Sequence, residues 1–395
     1  MIAAAILALQ TGKLDVEIVP PVFPGVVTVE AVMRLPRTGP RERAELAILA
    51  DVLLDDTEEY GHRQLVNFTA LSGQTVRCDL YPDALRVRYG VLESDSASVV
   101  PILANIVHDS ELHEEAITAS VEKLLFQRRD YWTSALEPEV LKYRQARVQD
   151  IGALYKTIGR PENLHITIAA PAALGDDLSE RWRTAVGEWH VGANPAFAPD
   201  TDTPKPSGER RGKLTTILLR GKPVRPTDPD FPTNLLAIFA LGGGKDSAVW
   251  KALREGLGWS YRQEALLRNS PDGLEPVVEV VTSHSDADID RANQVRPALE
   301  KAVLAWTPAD QAHAVASAEA LFNRGIGLDP LYFKSTRPAG DDALFMRTYW
   351  RFKTGEDWNP KILLDAMANV EVKKLQAAAT AILEGANIEL IRGTG

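Results

Sequence analysis

The sequence predicts an α+β protein with two tandem homologous lobes, each a mostly antiparallel sheet with helices packed on it, together enclosing a cavity. Two observations support this fold. A chain of 395 residues exceeds the usual size of one domain and suits two. A segment that begins at Val148 also recurs at Val372. Each copy contains an apolar-striped helix, a polar break, an Asn and an apolar run of strand length.

The two copies keep a constant offset, because 372 − 148 and 387 − 163 both equal 224. The corresponding pairs are Val148 and Val372, Ile151 and Leu375, Ile158 and Ile382, and Asn163 and Asn387. Upstream, each half also carries a strand, a helix and a hairpin in the same order. In the first half these are Gly25–Leu35, Arg41–Leu54 and Thr75–Val91; in the second they are Lys213–Gly221, Phe231–Leu241 and Ser260–Thr282.

The domain boundaries follow from this repeat. The first lobe is predicted over 13–191, a linker over 192–212 and the second lobe over 213–395, since residues 192–212 are rich in Pro, Asp, Thr and Gly. Residues 1–12 form a short apolar run without the basic start of a standard export signal, and are interpreted as a clipped or atypical signal segment. The compartment stays open, with an exported or periplasmic location favoured over a cytoplasmic one.

Charge and composition exclude several classes of partner. The net charge of −10, from 44 basic and 54 acidic residues, argues against nucleic acid, which clustered Lys and Arg bind through phosphates. No apolar run approaches the 18 or so residues that a membrane span needs, so no span is predicted. The single Cys78 has no internal disulfide partner and is interpreted as core packing.

The glycine-rich stretch "LGGGKDSAVWKALREGLGWSY" has two interpretations. Lys245 and Ser247 after three glycines are similar to a phosphate-binding loop. However, the preceding run is helical in pattern, and Asp246 would place a carboxylate against the phosphates. The favoured interpretation is that the glycines end one helix and that Asp246 or Ser247 caps the next.

The segment that follows, "ALREGLGWSY", resembles the LRE-x-x-G-x-x-Y segment in the C-terminal half of the insulinase, pitrilysin and mitochondrial processing peptidase family. The duplicated architecture extends this resemblance over almost the whole chain. It implies that Arg254 and Tyr261, seven positions apart, hold a substrate backbone across a closed chamber from a zinc in the first half. A guanidinium and a phenol suit a peptide carbonyl and its oxyanion. The alternative is a helix-end cation and a half-buried strand residue.

Active members of this family carry H-x-x-E-H on the first helix of the first half, where two His share a helical face and the Glu activates zinc-bound water. The residues in those five places here are Ala47, Ile48, Leu49, Ala50 and Asp51. The whole range 41–56 lacks histidine. The resemblance therefore implies an inverzincin-type member without its zinc motif: the chain itself is expected to bind no cofactor and no stoichiometric zinc, and the zinc is expected on a partner subunit.

One other cluster, "HDSELHEE", has the residue types of a metal site. His108 and His113 are five positions apart, so on a helix they would point about 140° away from each other. With Glu111 they are interpreted as the charged start of a helix. The remaining histidines show no ligand spacing and are expected at the surface or at an interface: His62, His165, His190, His284 and His313.

The sequence thus predicts a metalloendopeptidase homologue that is inactive alone. It is expected to be the substrate-binding partner in a heterodimer, with a homologous zinc-bearing subunit and a peptide or small protein as substrate. The alternative is a structural or peptide-binding homologue that uses neither Arg254 nor Tyr261. A nucleotide-dependent enzyme is the third hypothesis. The partner's identity, the substrate and the choice between homo- and hetero-oligomer stay open.

Overall fold

The chain divides into two units. The computed structural model describes residues 14–36, 38–72, 76–81, 83–129, 140–189, 207–210, 212–242, 244–270, 273–323, 344, 347–348, 350–352 and 354–393. Unit 1 comprises the described residues from Leu14 to Trp189, and unit 2 those from Ser207 to Gly393. The predicted signal segment 1–12 lies outside the described residues, as do 192–206 of the predicted linker.

Unit 1 contains one sheet and one set of helices. Its strands and α-helices, in chain order, are β1 (Asp15–Val19), β2 (Val26–Arg34), α1 (Pro40–Val52), α2 (His62–Ser72), β3 (Arg77–Leu80), β4 (Ala84–Leu92), α3 (Val99–His108), α4 (Glu114–Arg129), α5 (Val148–Ile158), β5 (Leu164–Ala169) and α6 (Ala172–Glu188). Short 3₁₀ helices cover Glu93–Ser98, Val140–Gln145 and Pro161–Asn163.

Unit 2 repeats this plan. Its elements are β6 (Ser207–Arg210), β7 (Leu214–Arg220), α7 (Phe231–Gly242), a π-helix (Trp250–Leu257), β8 (Ser260–Ser270), β9 (Gly273–Ser283), α8 (Asp288–Leu304), α9 (Pro308–Asn323), α10 (Pro360–Ala368), α11 (Val372–Glu384) and β10 (Asn387–Gly393). None of the helices in the described ranges combines the length and the apolar character of a bilayer span.

The two sheets have the same strand order. Unit 1 is ordered β1-β5-β2-β4-β3 and unit 2 is ordered β6-β10-β7-β9-β8. In each sheet the first neighbouring pair is parallel and the other pairs are antiparallel. The predicted α+β fold with two similar, mostly antiparallel lobes is confirmed. The strands that begin after Asn163 and at Asn387 occupy the same place in their sheets, as the 224-residue offset predicts.

Strand β6 lies within the range that the sequence assigns to the linker. Its residues Ser207–Arg210 pair in parallel with β10, from Leu390 with Ser207 to Gly393 with Arg210. The four residues read SGER and lack the apolar alternation by which a half-buried strand is recognised. The pairing is made by the backbone, so amino-acid composition, which set the predicted linker boundary, does not reveal this strand.

Strand β2 shows how the sequence places the core of unit 1. Alternate side chains of a strand face opposite sides of its sheet, and Val27, Val29, Ala31 and Met33 belong to the apolar cluster that packs against the helices. The residues between them, Thr28, Glu30 and Val32, face the other way, so this second face is partly polar. It carries Glu30, which is fully buried.

Glu30 forms an ion pair with Arg86 of strand β4, whose side chain is also buried. Arg86 additionally contacts Asp79 of β3, with Nη1 3.4 Å from Oδ2. Burial by itself would lower the pKa of the Arg86 guanidinium. The negative charge of Glu30, with smaller contributions from Tyr81 and Asp79, raises that pKa above its ordinary value. The guanidinium therefore keeps its charge and compensates the buried carboxylate.

We expect Arg86→Met to destabilise the protein strongly. The substitution leaves the Glu30 carboxylate buried without its main counter-charge, which costs about 3–5 kcal/mol in comparable pairs. Arg181→Met is the matched control, because the side chains of Arg181 and its partner Asp177 are 46% and 51% exposed. Such exposed pairs contribute about 0–1 kcal/mol. Denaturant unfolding compares the two variants, and equal losses of unfolding free energy would contradict the prediction.

Candidate functional site

Helix α1 contains the five positions, 47–51, at which the resemblance places the zinc motif. It begins at Pro40 after Gly39, whose backbone N–H donates to the Glu42 carboxylate at 2.7 Å. Ile48 and Leu49 are fully buried in the core of unit 1. Ala47, Ala50 and Asp51 are half-buried, so they share the more accessible side of the helix, as positions i, i+3 and i+4 do.

That accessible side does not fit a zinc ion. It presents two methyl groups and one carboxylate, and no imidazole lies on α1. The Asp51 carboxylate is in contact with the ammonium of Lys123 on α4, with Oδ1 2.5 Å from Nζ. The Lys123 ammonium thus already neutralises the Asp51 carboxylate, which is the one group on this side of α1 that could bind a metal. Helix α1 therefore lacks the ligands of a zinc site.

Arg254 lies in the last turn of the π-helix Trp250–Leu257. Only Leu253 of this helix is buried, so Arg254 stays exposed. The helix ends at Gly258, which has φ of 73° in the left-handed region that suits glycine. The chain therefore turns back, and the guanidinium of Arg254 donates to the backbone carbonyl of Ser260.

Tyr261 follows directly and lies at an irregularity of strand β8. Ser260 pairs with Thr282 and Arg262 with Val281, so Tyr261 is the extra residue of a β-bulge. Its side chain is 63% exposed. The Tyr261 hydroxyl accepts a hydrogen bond from Ser283 Oγ of strand β9 at 3.1 Å, which leaves its own proton available to donate.

The structure thus places Arg254 and Tyr261 at one corner of unit 2, where the arginine holds the carbonyl of the residue before the tyrosine. Both side chains reach solvent, unlike the half-buried tyrosine of the alternative interpretation. A guanidinium with several donors and a phenol with one suit a peptide carbonyl or an oxyanion. π-helical turns and β-bulges are both frequent at functional sites.

Arg291 and Ser283, which the sequence analysis did not identify, support this corner. Arg291 of α8 donates from Nη1 to the carbonyl of Ser283 at 2.8 Å and to Thr282 Oγ1 at 3.2 Å. Its guanidinium carbon also lies 5.7 Å from the centre of the Trp259 ring, a distance at which cation–π attraction acts. The Ser283 side chain then contacts Tyr261. The pairing register of the β8–β9 hairpin brings Thr282 beside Ser260. Predicting that register from the sequence would have placed Ser283 and Arg291 near Tyr261.

Asp288 fixes the beginning of α8 beneath this network. Burial would raise the pKa of its carboxyl, but hydrogen bonds from Thr215, His284 and Ser285 outweigh that effect and hold the pKa below its ordinary value. Thr215 Oγ1 donates at 2.6 Å, and His284 Nδ1 lies 2.8 Å away. The ionised carboxylate at a helix N-terminus also suits the helix dipole.

The glycine-rich stretch before the π-helix serves as a turn. It follows helix α7, whereas a phosphate loop follows a buried strand. Gly242 ends that helix against strand β8, where a Cβ would lie 2.3 Å from the carbonyl oxygen of Ala265. Ser247 Oγ then accepts from the backbone N–H of Trp250 at 3.4 Å. The favoured interpretation, a helix end followed by a cap, agrees with this geometry.

Other residues discussed in the sequence analysis, which are the His108–Glu111–His113 cluster, Cys78 and His165, lie in different environments. His108 stacks on Trp189, with ring centres 4.5 Å apart, while Glu111 and His113 approach Asp56. Burial raises the pKa of the Cys78 thiol well above its ordinary value, so it is not a thiolate nucleophile.

His165 was expected at the surface or an interface. It is instead buried on β5, with Nδ1 2.8 Å from Asp15 Oδ2.

Comparison with known proteins shows which family this chain is similar to. The sequence model of the insulinase family, peptidase family M16, matches residues 48–162, which begin inside α1. The resemblance predicted from the sequence is confirmed by this match. No curated protein matches the sequence.

Solved structures show the same fold along nearly the whole chain. An inactive M16 peptidase domain from Pseudomonas fluorescens has a TM-score of 0.71 at 12% identity, covering 98% of this chain and 97% of its own. A protease from Helicobacter pylori has a TM-score of 0.74 at 12% identity, covering 96% and 98%. The periplasmic protease PqqL from Escherichia coli has a TM-score of 0.66 at 10% identity, covering 94% of this chain and 43% of PqqL. At such identities the likeness concerns the fold alone.

We expect the isolated protein to hydrolyse no peptide, with or without added zinc. Helix α1 lacks the imidazoles and the general base, and Asp51 is already paired with Lys123. A fluorogenic peptide library, assayed at saturating zinc and after chelation, provides the measurement. Hydrolysis that a chelator abolishes and zinc restores, in protein free of other peptidases, would show this prediction to be wrong.

Proposed function

We infer that this chain is the non-catalytic, substrate-binding partner of a zinc-bearing M16 subunit. The observation that carries the proposal is the contrast between α1 and the Arg–Tyr corner. Helix α1 has lost every zinc ligand of the motif, whereas Arg254 and Tyr261 remain exposed and supported by Ser260, Ser283 and hydrogen bonds from Arg291. In this proposal the partner activates water, and this chain binds the peptide.

The proposed chemistry follows from the two side chains. Arg254 offers fixed donors to a substrate carbonyl, which positions the peptide. The Tyr261 hydroxyl, which already accepts from Ser283, donates its proton to the oxygen that becomes negative when water attacks the carbonyl. Zinc on the partner would supply the activated water, and none of these steps requires a metal on this chain.

The second candidate function is that of a structural or peptide-binding homologue that has no enzymatic partner. The fold likeness to an inactive M16 domain from Pseudomonas fluorescens favours this alternative as much as it favours the partner subunit. The two candidates differ in whether Arg254 and Tyr261 affect turnover. A location outside the cytoplasm belongs to both proposals, supported by the apolar run of residues 1–12 and the fold likeness to a periplasmic protease.

We expect Arg254→Ala to lower kcat/KM of the assembled complex about 10- to 150-fold, since a hydrogen bond to a charged group contributes about 1.5–3 kcal/mol. Tyr261→Phe keeps the ring and removes only the hydroxyl, so it should lower kcat while association and folding persist. The measurement is peptide cleavage after mixing each variant with an M16 subunit that carries H-x-x-E-H and co-purifies with this chain.

Lys251→Ala is the matched control for this experiment. Lys251 lies on the same π-helix, is exposed and pairs with Asp310 at 3.3 Å, so its loss removes a positive charge without touching the proposed site. Turnover should be unchanged in this variant. If Arg254→Ala and Tyr261→Phe also leave turnover unchanged while association is intact, the structural alternative replaces the proposal.

A further inference from the structure

Three side chains with metal-binding atoms converge on the surface of unit 1. Asp56 follows the end of α1, and Glu111 and His113 precede α4. One ligand atom from each of these residues lies within 4.8 Å of the other two. The group contains an imidazole and two carboxylates, and it is separate from the motif positions on α1. The sequence showed Glu111 and His113 but not Asp56, which is 55 positions before Glu111 (111 − 56).

The backbone holds the two contributing segments together. Thr57 and Ser110 form an antiparallel bridge. On either side of it, the N–H of Glu111 donates to the Asp56 carbonyl at 3.0 Å and the N–H of Glu58 donates to the Asp109 carbonyl at 2.9 Å. The ligand atoms are therefore brought together by hydrogen bonds that do not involve the side chains concerned. Such a preformed arrangement reduces the entropy cost of binding an ion.

The distances between the side chains suit a shared ion better than direct ion pairs. His113 Nε2 lies 3.3 Å from Asp56 Oδ2 and 3.5 Å from Glu111 Oε2. A charge-assisted hydrogen bond from imidazole to carboxylate is usually about 2.7–2.9 Å. Two atoms that each coordinate a tetrahedral zinc at about 2.0–2.2 Å are about 3.3–3.5 Å apart. Both distances from His113 Nε2 fall in that second range, and the carboxylate oxygens of Asp56 and Glu111 lie within 4.8 Å of each other.

The charge in this region also favours a cation. Asp55, Glu58, Glu59 and Asp109 belong to the same two segments as the three ligand residues, so two carboxylate ligands lie among further negative charge. By contrast, the nearby Asp51 is already neutralised by Lys123 at 2.5 Å. Imidazole together with carboxylate is a donor set that zinc and similar divalent transition metals accept.

We propose that Asp56, Glu111 and His113 bind a divalent transition-metal ion such as zinc, which ties the segment after α1 to the start of α4. The ion has a structural role in this proposal and takes no part in peptide hydrolysis. The side chains of Asp56, Glu111 and His113 are 30%, 51% and 52% exposed, so the ion exchanges readily with solvent. Protein dialysed without metal is therefore expected to be metal-free, in keeping with the expectation that the isolated chain holds no stoichiometric zinc.

The test titrates the metal-free, full-length chain with zinc chloride in a calorimeter. We expect one saturable site per chain and a rise in Tm when zinc is added, because an ion that binds only the folded state stabilises it. His113→Ala and Glu111→Gln should each weaken zinc binding by at least about tenfold, since even residues behind the ligands change affinity by 10- to 100-fold. The zinc-induced rise in Tm should disappear in both variants.

Glu115→Gln and His62→Ala are matched controls that remove an exposed acid near the site and an exposed imidazole nearby. Both should bind zinc as tightly as the unaltered chain. Absence of saturation at millimolar zinc, or equal weakening in the controls and in the ligand variants, would overturn the proposal. Glu111→Gln hardly changes side-chain volume, so it keeps the test decisive even if His113→Ala fails to fold, which circular dichroism would show.

Discussion

The two units depend on the insertion of one late strand between two early ones. In unit 1, β5 pairs in parallel with β1 and antiparallel with β2, and β10 of unit 2 has the same two kinds of neighbour in β6 and β7. The late strand satisfies its backbone groups on both sides and joins the first strand of each unit to the rest of the sheet. The helices and the hairpin between the early and late strands must therefore return the chain to this inner place in the sheet.

This constraint explains what the sequence predicted well. The helix and strand that close each unit must present the same apolar pattern in both copies, because they fill the same place against similar neighbours. The pattern at Val148 therefore recurs at Val372, and the two hairpins appear from their turn residues. The absence of histidine from α1 could also be predicted, because the helix is one continuous stretch of the sequence.

Contacts between residues that are far apart in the sequence could not be predicted in this way. Asp56 lies near Glu111 and His113 because the residues next to them form an isolated antiparallel β-bridge, Thr57 with Ser110. No local sequence pattern predicts a single bridge of this kind. Arg291 supports the Tyr261 corner through the register of a hairpin and the start of the next helix. His165 is polar in a strand pattern that suggests exposure, yet that face of the sheet is buried and carries Glu30 with its ion pair to Arg86.

The contrast between the two candidate sites bears on the choice between partner subunit and structural homologue. Helix α1 is regular, its buried side consists of core residues, and its accessible side holds two alanines and an ion pair. The Arg–Tyr corner keeps an eight-residue π-helix, a left-handed glycine and a β-bulge in succession. A left-handed glycine at a helix end is unstrained, but the π-helix and the β-bulge depart from regular hydrogen bonding, and such irregular backbone is frequent at functional sites. The ring of Tyr261 is 63% exposed, so it contributes little burial to the stability of the fold. The corner displays a guanidinium and a phenol to solvent, which supports the proposed role in binding over a purely structural one.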